Sequence, residues 1–274
     1  MNLLLIWPIF SACNSSEVES KILINGILSD RYYDAMDVRA DYSTMDSDHV
    51  AIIIANYQKS FIKDAEVIIL SDSQNISLVA VQEGDLTLYK DINEKLRVVP
   101  GETYQLKVTL SDGKTFNART RVPLTPTILS PIDGDTLDPS TGYVLGPHDV
   151  GVIPLEINID PKSPVKFYIY RSYYGVNQIL VHRYAIRQPD SVYFAINSEG
   201  LFILKIDVLT LDSALSKFSW FFSKYPFGAD SLYAAMYDQH LIKPLEAFSN
   251  IEGEGGIGCF GSYTSTNVEY YVKQ

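Results

Sequence analysis

A chain of 274 residues that is 46% hydrophobic and 20% charged has the apolar content to bury a core, which excludes disordered and collagen-like proteins. With 22 basic against 33 acidic side chains it carries a formal charge of −11 and lacks the cationic footprint that phosphate backbones require, so no nucleic-acid partner is expected. No uncharged apolar run reaches the roughly 18 to 20 residues of a membrane-spanning helix.

Residues 1–13, MNLLLIWPIFSAC, are uncharged and apolar and give way at Asn14 to a polar stretch. An apolar run of about 12 residues is typical of the hydrophobic region of a secretory signal. Phe10-Ser11-Ala12-Cys13 resembles a bacterial lipobox, with Phe10 where that pattern prefers Leu and no basic residues ahead of it. Residues 1–12 are therefore read as a lipoprotein-type signal, Cys13 as the lipidated first residue of the mature chain, and 13–20 as a tether. A plain cleaved signal and a buried N-terminal strand are the competing readings. Acylation contributes about 0.8 kcal/mol per buried CH2, so several chains together anchor firmly. With Cys13 acylated only Cys259 remains, which leaves no disulfide framework. Cys259 has no His near it in sequence and reads as a small core hydrophobe.

The run Lys21 to Leu28 reads as a first strand, followed by the β-branched runs His49 to Asn56 and Ala65 to Leu70. After the turn signal Pro100-Gly101-Glu102, Thr103 to Leu110 alternates with a period of two. Ser111-Asp112-Gly113-Lys114 is a hairpin turn in which glycine supplies the positive φ, and Thr115 to Val122 returns. Closely spaced strands of this kind predict an Ig-like antiparallel β-sandwich over 21–122. Pro123, Pro126, Pro131 and Pro139 mark 123–139 as a linker, because proline cannot continue a central strand.

A second β-rich domain is expected over 140–274, with strands at 152–159, 165–170, 178–186, 191–196 and 201–209 and a closing strand at 267–272. Leu211, Leu215, Phe218, Phe222 and Tyr225 recur at helical spacing, with Asp212 or Ser213 as N-cap and Pro226 as stop, predicting a helix over 212–225. A shorter helical turn is expected between Leu232 and Leu241. The fold class is thus mainly β, two-domain, with one or two short helices.

Chemistry-bearing motifs are sparse. G-x-G-x-x-G occurs at Gly253/Gly255/Gly258 and at Gly256/Gly258/Gly261, but only 13 residues follow Gly261 and they read as strand. A dinucleotide site needs a helix and a distant acid after the glycines, so these glycines are read as places where backbones run close together or bulge. His49, His148, His182 and His240 are widely separated and match no zinc motif. Asp133-Gly134-Asp135 with Asp138 lacks the calcium-loop spacing and reads as a solvated turn. No G-x-S-x-G elbow occurs. No catalytic residue, metal or cofactor is expected, and a hydrolase is the least favoured reading. Tyrosine supplies 19 of the 33 aromatics. Tyr32, Tyr33, Tyr173 and Tyr174 are the weak candidates for a ligand platform, set against the plainer reading that adjacent strand residues face opposite sides.

Several segments together carry a resemblance: Cys13, Ile22 to Asp30, Ala65-Glu66-Val67, Pro100 to Leu106, Asp112 to Phe116, and above all Asn250-Ile251-Glu252-Gly253-Glu254-Gly255-Gly256-Ile257-Gly258-Cys259-Phe260-Gly261. The chain resembles the Bacteroidota lipoprotein family catalogued as domain of unknown function number 4249. The last segment is similar to that family's N-I-E-G-G-x-G-x-F-G signature, with Glu254 and Gly255 as a local departure. Asn250, Glu252, Gly253, Gly256, Gly258, Phe260 and Gly261 would be its structural residues. The resemblance implies an Ig-like sandwich followed by a mostly β domain, an outer-membrane lipid anchor, frequent encoding near TonB-dependent transporters, and no known catalytic residues. The expected function is a non-enzymatic accessory or binding lipoprotein beside an outer-membrane transporter, on the periplasmic or the cell-surface face. A stand-alone surface binder of glycan or peptide is the alternative, and its small-molecule ligand is left open.

Overall fold

The computed structural model describes residues 21–30, 49–56, 60–84, 86–130, 136–137, 150–154, 156–159, 164–173, 176–185, 191–195, 202–223 and 245–272. In the first half the strands are β1 (Ile22–Ser29), β2 (Val50–Asn56), β3 (Glu66–Leu70), β4 (Asn75–Glu83), β5 (Leu86–Lys90), β6 (Thr103–Thr109) and β7 (Thr115–Arg121). Their hydrogen-bonded order is β1-β2-β5-β4 and β3-β6-β7, the two-sheet order of an immunoglobulin domain. The sheets are joined by β4, which pairs through Asn75–Leu78 with β3 and through Val79–Glu83 with β5. β4 and β5, separated only by Gly84-Asp85 with Gly84 at φ 56°, were not expected from the sequence.

The core lies between the sheets. Ile24, Leu28, Ile52 and Ile54 from one face meet Val67, Ile69, Leu106, Val108 and Phe116 from the other. Each such side chain contributes roughly 1.5–3 kcal/mol on full burial. β6 and β7 alternate buried and accessible positions, the period-two pattern read from the sequence. The hairpin between them closes with Leu110 N–H donating to the Lys114 carbonyl at 2.9 Å and Gly113 at φ 86°. Tyr104, at the start of β6, is fully buried. Its hydroxyl accepts from Val99 N–H at 2.9 Å and reaches the Arg97 carbonyl at 2.8 Å, the tyrosine-corner arrangement of immunoglobulin-like domains. Burial pushes its ionisation up to about 12.

The second half contributes β8 (Thr127–Ser130), β9 (Thr136–Leu137), β10 (Val150–Pro154), β11 (Glu156–Asn158), β12 (Val165–Tyr173), β13 (Val176–Ala185), β14 (Ser191–Ala195), β15 (Phe202–Leu211), the helix α1 (Ser213–Ser223) and β16 (Gly256–Val272). The run expected over 152–159 is split, since β10 pairs with β14 while β11 pairs with β8. The proline-rich passage also holds β8 and β9, so the chain there is not strand-free. Pro123 and Pro126 fit because both precede β8 and neither stands within a strand. Leu211, read as the first position of the helical stripe, is instead the last residue of β15, and the helix starts after Asp212. The expected turn at 232–241 and the stop at Pro226 lie outside the described residues.

The closing strand is much longer than the expected 267–272. It runs from Gly256 to Val272, and its two halves have different neighbours. Gly256–Tyr263 pairs in parallel with Ile22–Ser29 of β1, and Tyr263–Val272 pairs antiparallel with Phe202–Leu211 of β15. The last strand thereby completes the first sandwich, placing Phe260 and Ile251 in the N-terminal core. It also explains why every residue of β1 is buried. One face of β1 meets the sandwich core, while Leu23 on the other packs with Ile257, Cys259, Phe218 of α1 and Leu245. A strand covered on both faces needs a continuous apolar run rather than alternation.

Candidate functional site

The segment before β16 is fastened through side-chain amide and hydroxyl groups. Asn250 receives Phe260 N–H on its Oδ1 at 2.8 Å and donates Nδ2 to the Phe260 carbonyl at 2.7 Å, with Arg119 O a further 3.2 Å neighbour of Nδ2. Ser249 Oγ accepts from Gly258 N–H at 3.1 Å. Glu252 exchanges both backbone bonds with Asn117 at 2.7 and 2.8 Å, which covers part of the free edge of β7. Gly253 and Gly256 lie against Phe116, where a Cβ would come within 2.7 and 2.6 Å of its ring. At Gly258 a Cβ would stand 1.9 Å from the Ile24 carbonyl oxygen, and at Gly261 it would stand 2.6 Å from Leu215 Cβ. These glycines let β16 lie against β1 and let α1 lie on β16. The glycine-rich run turns at Gly253–Gly255 and is strand from Gly256 onward with no helix opening after its glycines, which is incompatible with a dinucleotide loop.

Where β7, β16 and the start of α1 meet, three polar side chains converge. The Thr120 hydroxyl is 2.5 Å from Asp212 Oδ2 and 2.6 Å from Ser262 Oγ. Asp212 caps α1 by accepting from Leu215 N–H on Oδ1 at 2.7 Å, and its own N–H donates to the Ser262 carbonyl at 2.9 Å. Burial dominates its titration and raises its carboxyl to about 6, even though the hydrogen bond from Thr120 and backbone N–H groups act in the opposite sense. Beside it Thr210 and Thr264 hydroxyls are 2.6 Å apart, and both reach the Leu124 carbonyl. Tyr263, at the point where β16 changes neighbour, is buried and its hydroxyl is pushed up to about 12 by desolvation.

A cleft of about 540 Å³ opens over this cluster. One wall is the edge of β7 from Arg119 to Arg121, the other is Leu211 to Ala214, and Pro123, Leu124 and Pro164 form an apolar side. Its size is in the range of small-ligand sites. Arg119 and Arg121 are exposed, and Arg121 Nε donates to the Gly101 carbonyl at 3.1 Å.

Among the described residues, none of the remaining sequence candidates is brought to this place. Cys13, Tyr32, Tyr33, Tyr174, the Asp133-Gly134-Asp135-Asp138 turn, His148 and His240 lie outside the described residues. Tyr173 ends β12 opposite Val176, and His182 pairs with Tyr168. His49 Nδ1 is 3.0 Å from the Ser29 carbonyl. Cys259 is buried, and desolvation pushes its thiol well up, away from a reactive thiolate. Among the described residues no group of three His, Cys, Asp or Glu side chains could hold a metal ion, and no helix is long and apolar enough to cross a membrane. The cleft itself was missed. Asp212 was legible as a cap, but Thr120 and Ser262 are 142 residues apart and no local pattern links them.

Comparisons with solved structures find only distant likenesses. The chain is similar to the FN1–FN3 domains of chicken CNTN1 at 8% identity, over 82% of this chain and 61% of that one, with a TM-score of 0.23. It thus spans about three fifths of that fragment. It is also similar to DIP-gamma IG1+IG2 at 13% identity, over 57% of this chain and 80% of that one, TM-score 0.17. A mutant of the CFA/I adhesin CfaE of enterotoxigenic E. coli matches at 9% identity over 95% of this chain and 88% of that one, TM-score 0.22. No curated protein matches the chain. The family model described as a domain of unknown function (DUF4249) matches residues 15–269, nearly the whole chain, and the protein belongs to that family.

Proposed function

We propose that this protein is a non-enzymatic lipoprotein of the bacterial cell envelope, held at the outer membrane by a lipid on Cys13 and serving as an accessory or binding component beside an outer-membrane transporter. The observation that carries the reading is the segment Phe10-Ser11-Ala12-Cys13 followed by only eight residues before β1 begins at Ile22. Such a tether spans about 30 Å at full extension, so the sandwich would stay close to the membrane surface. The open cleft supports a second reading, direct capture of a ligand without a transporter.

Affinity purification of the detergent-extracted protein from native envelopes, with mass spectrometry of its partners and its N-terminal peptide, tests both. An acylated Cys13 with a copurifying transporter is the expected result. An acylated protein recovered alone favours independent capture, and a non-acylated N-terminus removes the anchor. Cys13→Ala is expected to release the protein from the membrane fraction.

A further inference from the structure

We infer that the cleft between the β7 edge and the start of α1 takes an acidic peptide segment in extended form, a proposal that rests on reading the chain as a binding protein. In β7 the hydrogen bonds to β6 are carried by even-numbered residues, because Leu110 N–H donates to Lys114 O and Val122 N–H to Glu102 O at either end of the ladder. The backbone groups of Asn117, Arg119 and Arg121 therefore point off the sheet. Those of Asn117 are taken by Glu252, and the Arg119 carbonyl receives Asn250 Nδ2. There the covering segment turns toward β16, with Asn250 N–H donating to Gly258 O at 3.3 Å. Beyond that point the Arg119 N–H and both backbone groups of Arg121 meet no partner among the described residues. A stretch of strand edge facing a cleft is the substrate for strand addition.

The charges select the partner. Arg119 and Arg121 stand on the same face of β7, about 7 Å apart along an extended strand. Among the described residues neither guanidinium has a carboxylate within ion-pair distance, although the chain carries 33 acidic side chains. An extended peptide with acidic residues at alternate positions repeats at that same spacing and offers both arginines a forked contact. Its intervening side chains would turn toward Thr120 and Ser213, which line the cleft. The overall charge of −11 does not forbid this, since fields beyond about 8 Å are screened at physiological salt while the two guanidinium groups act at contact.

The test is fluorescence anisotropy of a labelled six-residue peptide alternating Glu and Thr, titrated with the full-length chain in detergent. Hydrogen exchange at the Arg119 and Arg121 amides is measured with and without the unlabelled peptide. Saturable binding is expected, weakened about tenfold or more in the double variant Arg119→Glu with Arg121→Glu and by raised salt, together with slowed exchange at both amides. The exchange measurement uses the natural chain and does not depend on the variant's folding. A flat titration, equal binding of the Lys-Thr counterpart, or unchanged exchange on saturation would overturn the proposal and leave the arginines as protection of an open edge. Copurification of a transporter does not depend on these two side chains, so failure here and failure of the accessory reading are separable.

Discussion

Ile52, Ile69, Val108 and Phe116 in the sandwich core and Thr120, Thr210, Ser262 and Thr264 at the seam between the halves are all exposed by 3% or less. The first group is held by apolar burial, which is additive and tolerant of direction. The second is held by hydroxyl, carboxylate and carbonyl groups whose hydrogen bonds work only in one register. A buried polar group left without its partner costs about 1–3 kcal/mol, so the seam penalises misplacement more sharply than the core does. The core therefore supplies most of the stability, while the seam defines where β16 leaves β1 and joins β15.

The sharpest way to break that comparison is to remove the close approach on which the seam depends. Gly258→Ala places a methyl 1.9 Å from the Ile24 carbonyl, so β1 and β16 separate and the loss is expected to exceed about 4 kcal/mol. Circular dichroism and thermal unfolding check it; a variant that melts like the parent would show that β16 does not need β1. Phe116→Ala empties part of the sandwich core and should cost about 3–5 kcal/mol, equally at every pH, as read by denaturant titration.

A third change separates the two regions by pH. The Asp212 carboxyl ionises near 6 in the folded chain against an ordinary 3.8. Between those values the folded state keeps a proton that the unfolded chain has released, so stability falls as pH rises from about 4 to 6 and stays lower above. The expected size is on the order of 2–3 kcal/mol. Asp212→Asn, which keeps a capping oxygen, should flatten that dependence; unfolding free energies from pH 4 to 7.5 measure it, and an unaltered slope would assign it to other groups. Smallest is Tyr104→Phe, which leaves Val99 N–H and Arg97 C=O without their shared hydroxyl and should cost about 1–3 kcal/mol while the sandwich still forms. A melting temperature within error of the parent would show water replacing the hydroxyl there.

Legibility followed locality. The β6–β7 hairpin could be read from alternation plus Asp112-Gly113, and the α1 cap from Asp212, because each is decided within a few residues. β4 escaped because it serves two sheets and so lacks a single period, with Val79 43% exposed in the middle of it. The closing strand was recognised only at its end, since a run rich in glycine has low strand propensity and is kept in a strand by its neighbours. At the site, Arg119 and Arg121 are an ordinary outward pair in any strand, and nothing local shows that their edge lacks a further strand partner among the described residues.

By itself the sequence determined a mainly β chain, an Ig-like first unit with its turns, one capped helix, and a glycine-rich stretch that had to run close to another backbone. Those follow from steric rules and hydrophobic periodicity, which act over short distances along the chain. Tertiary structure alone decided that this stretch pairs with β1, that one strand is shared by both halves, and that Thr120, Asp212 and Ser262 meet beneath a cleft. These depend on contacts between residues far apart in sequence, chosen because parallel pairing with β1 buries Ile257, Cys259 and Phe260 on both faces of the sheet at once.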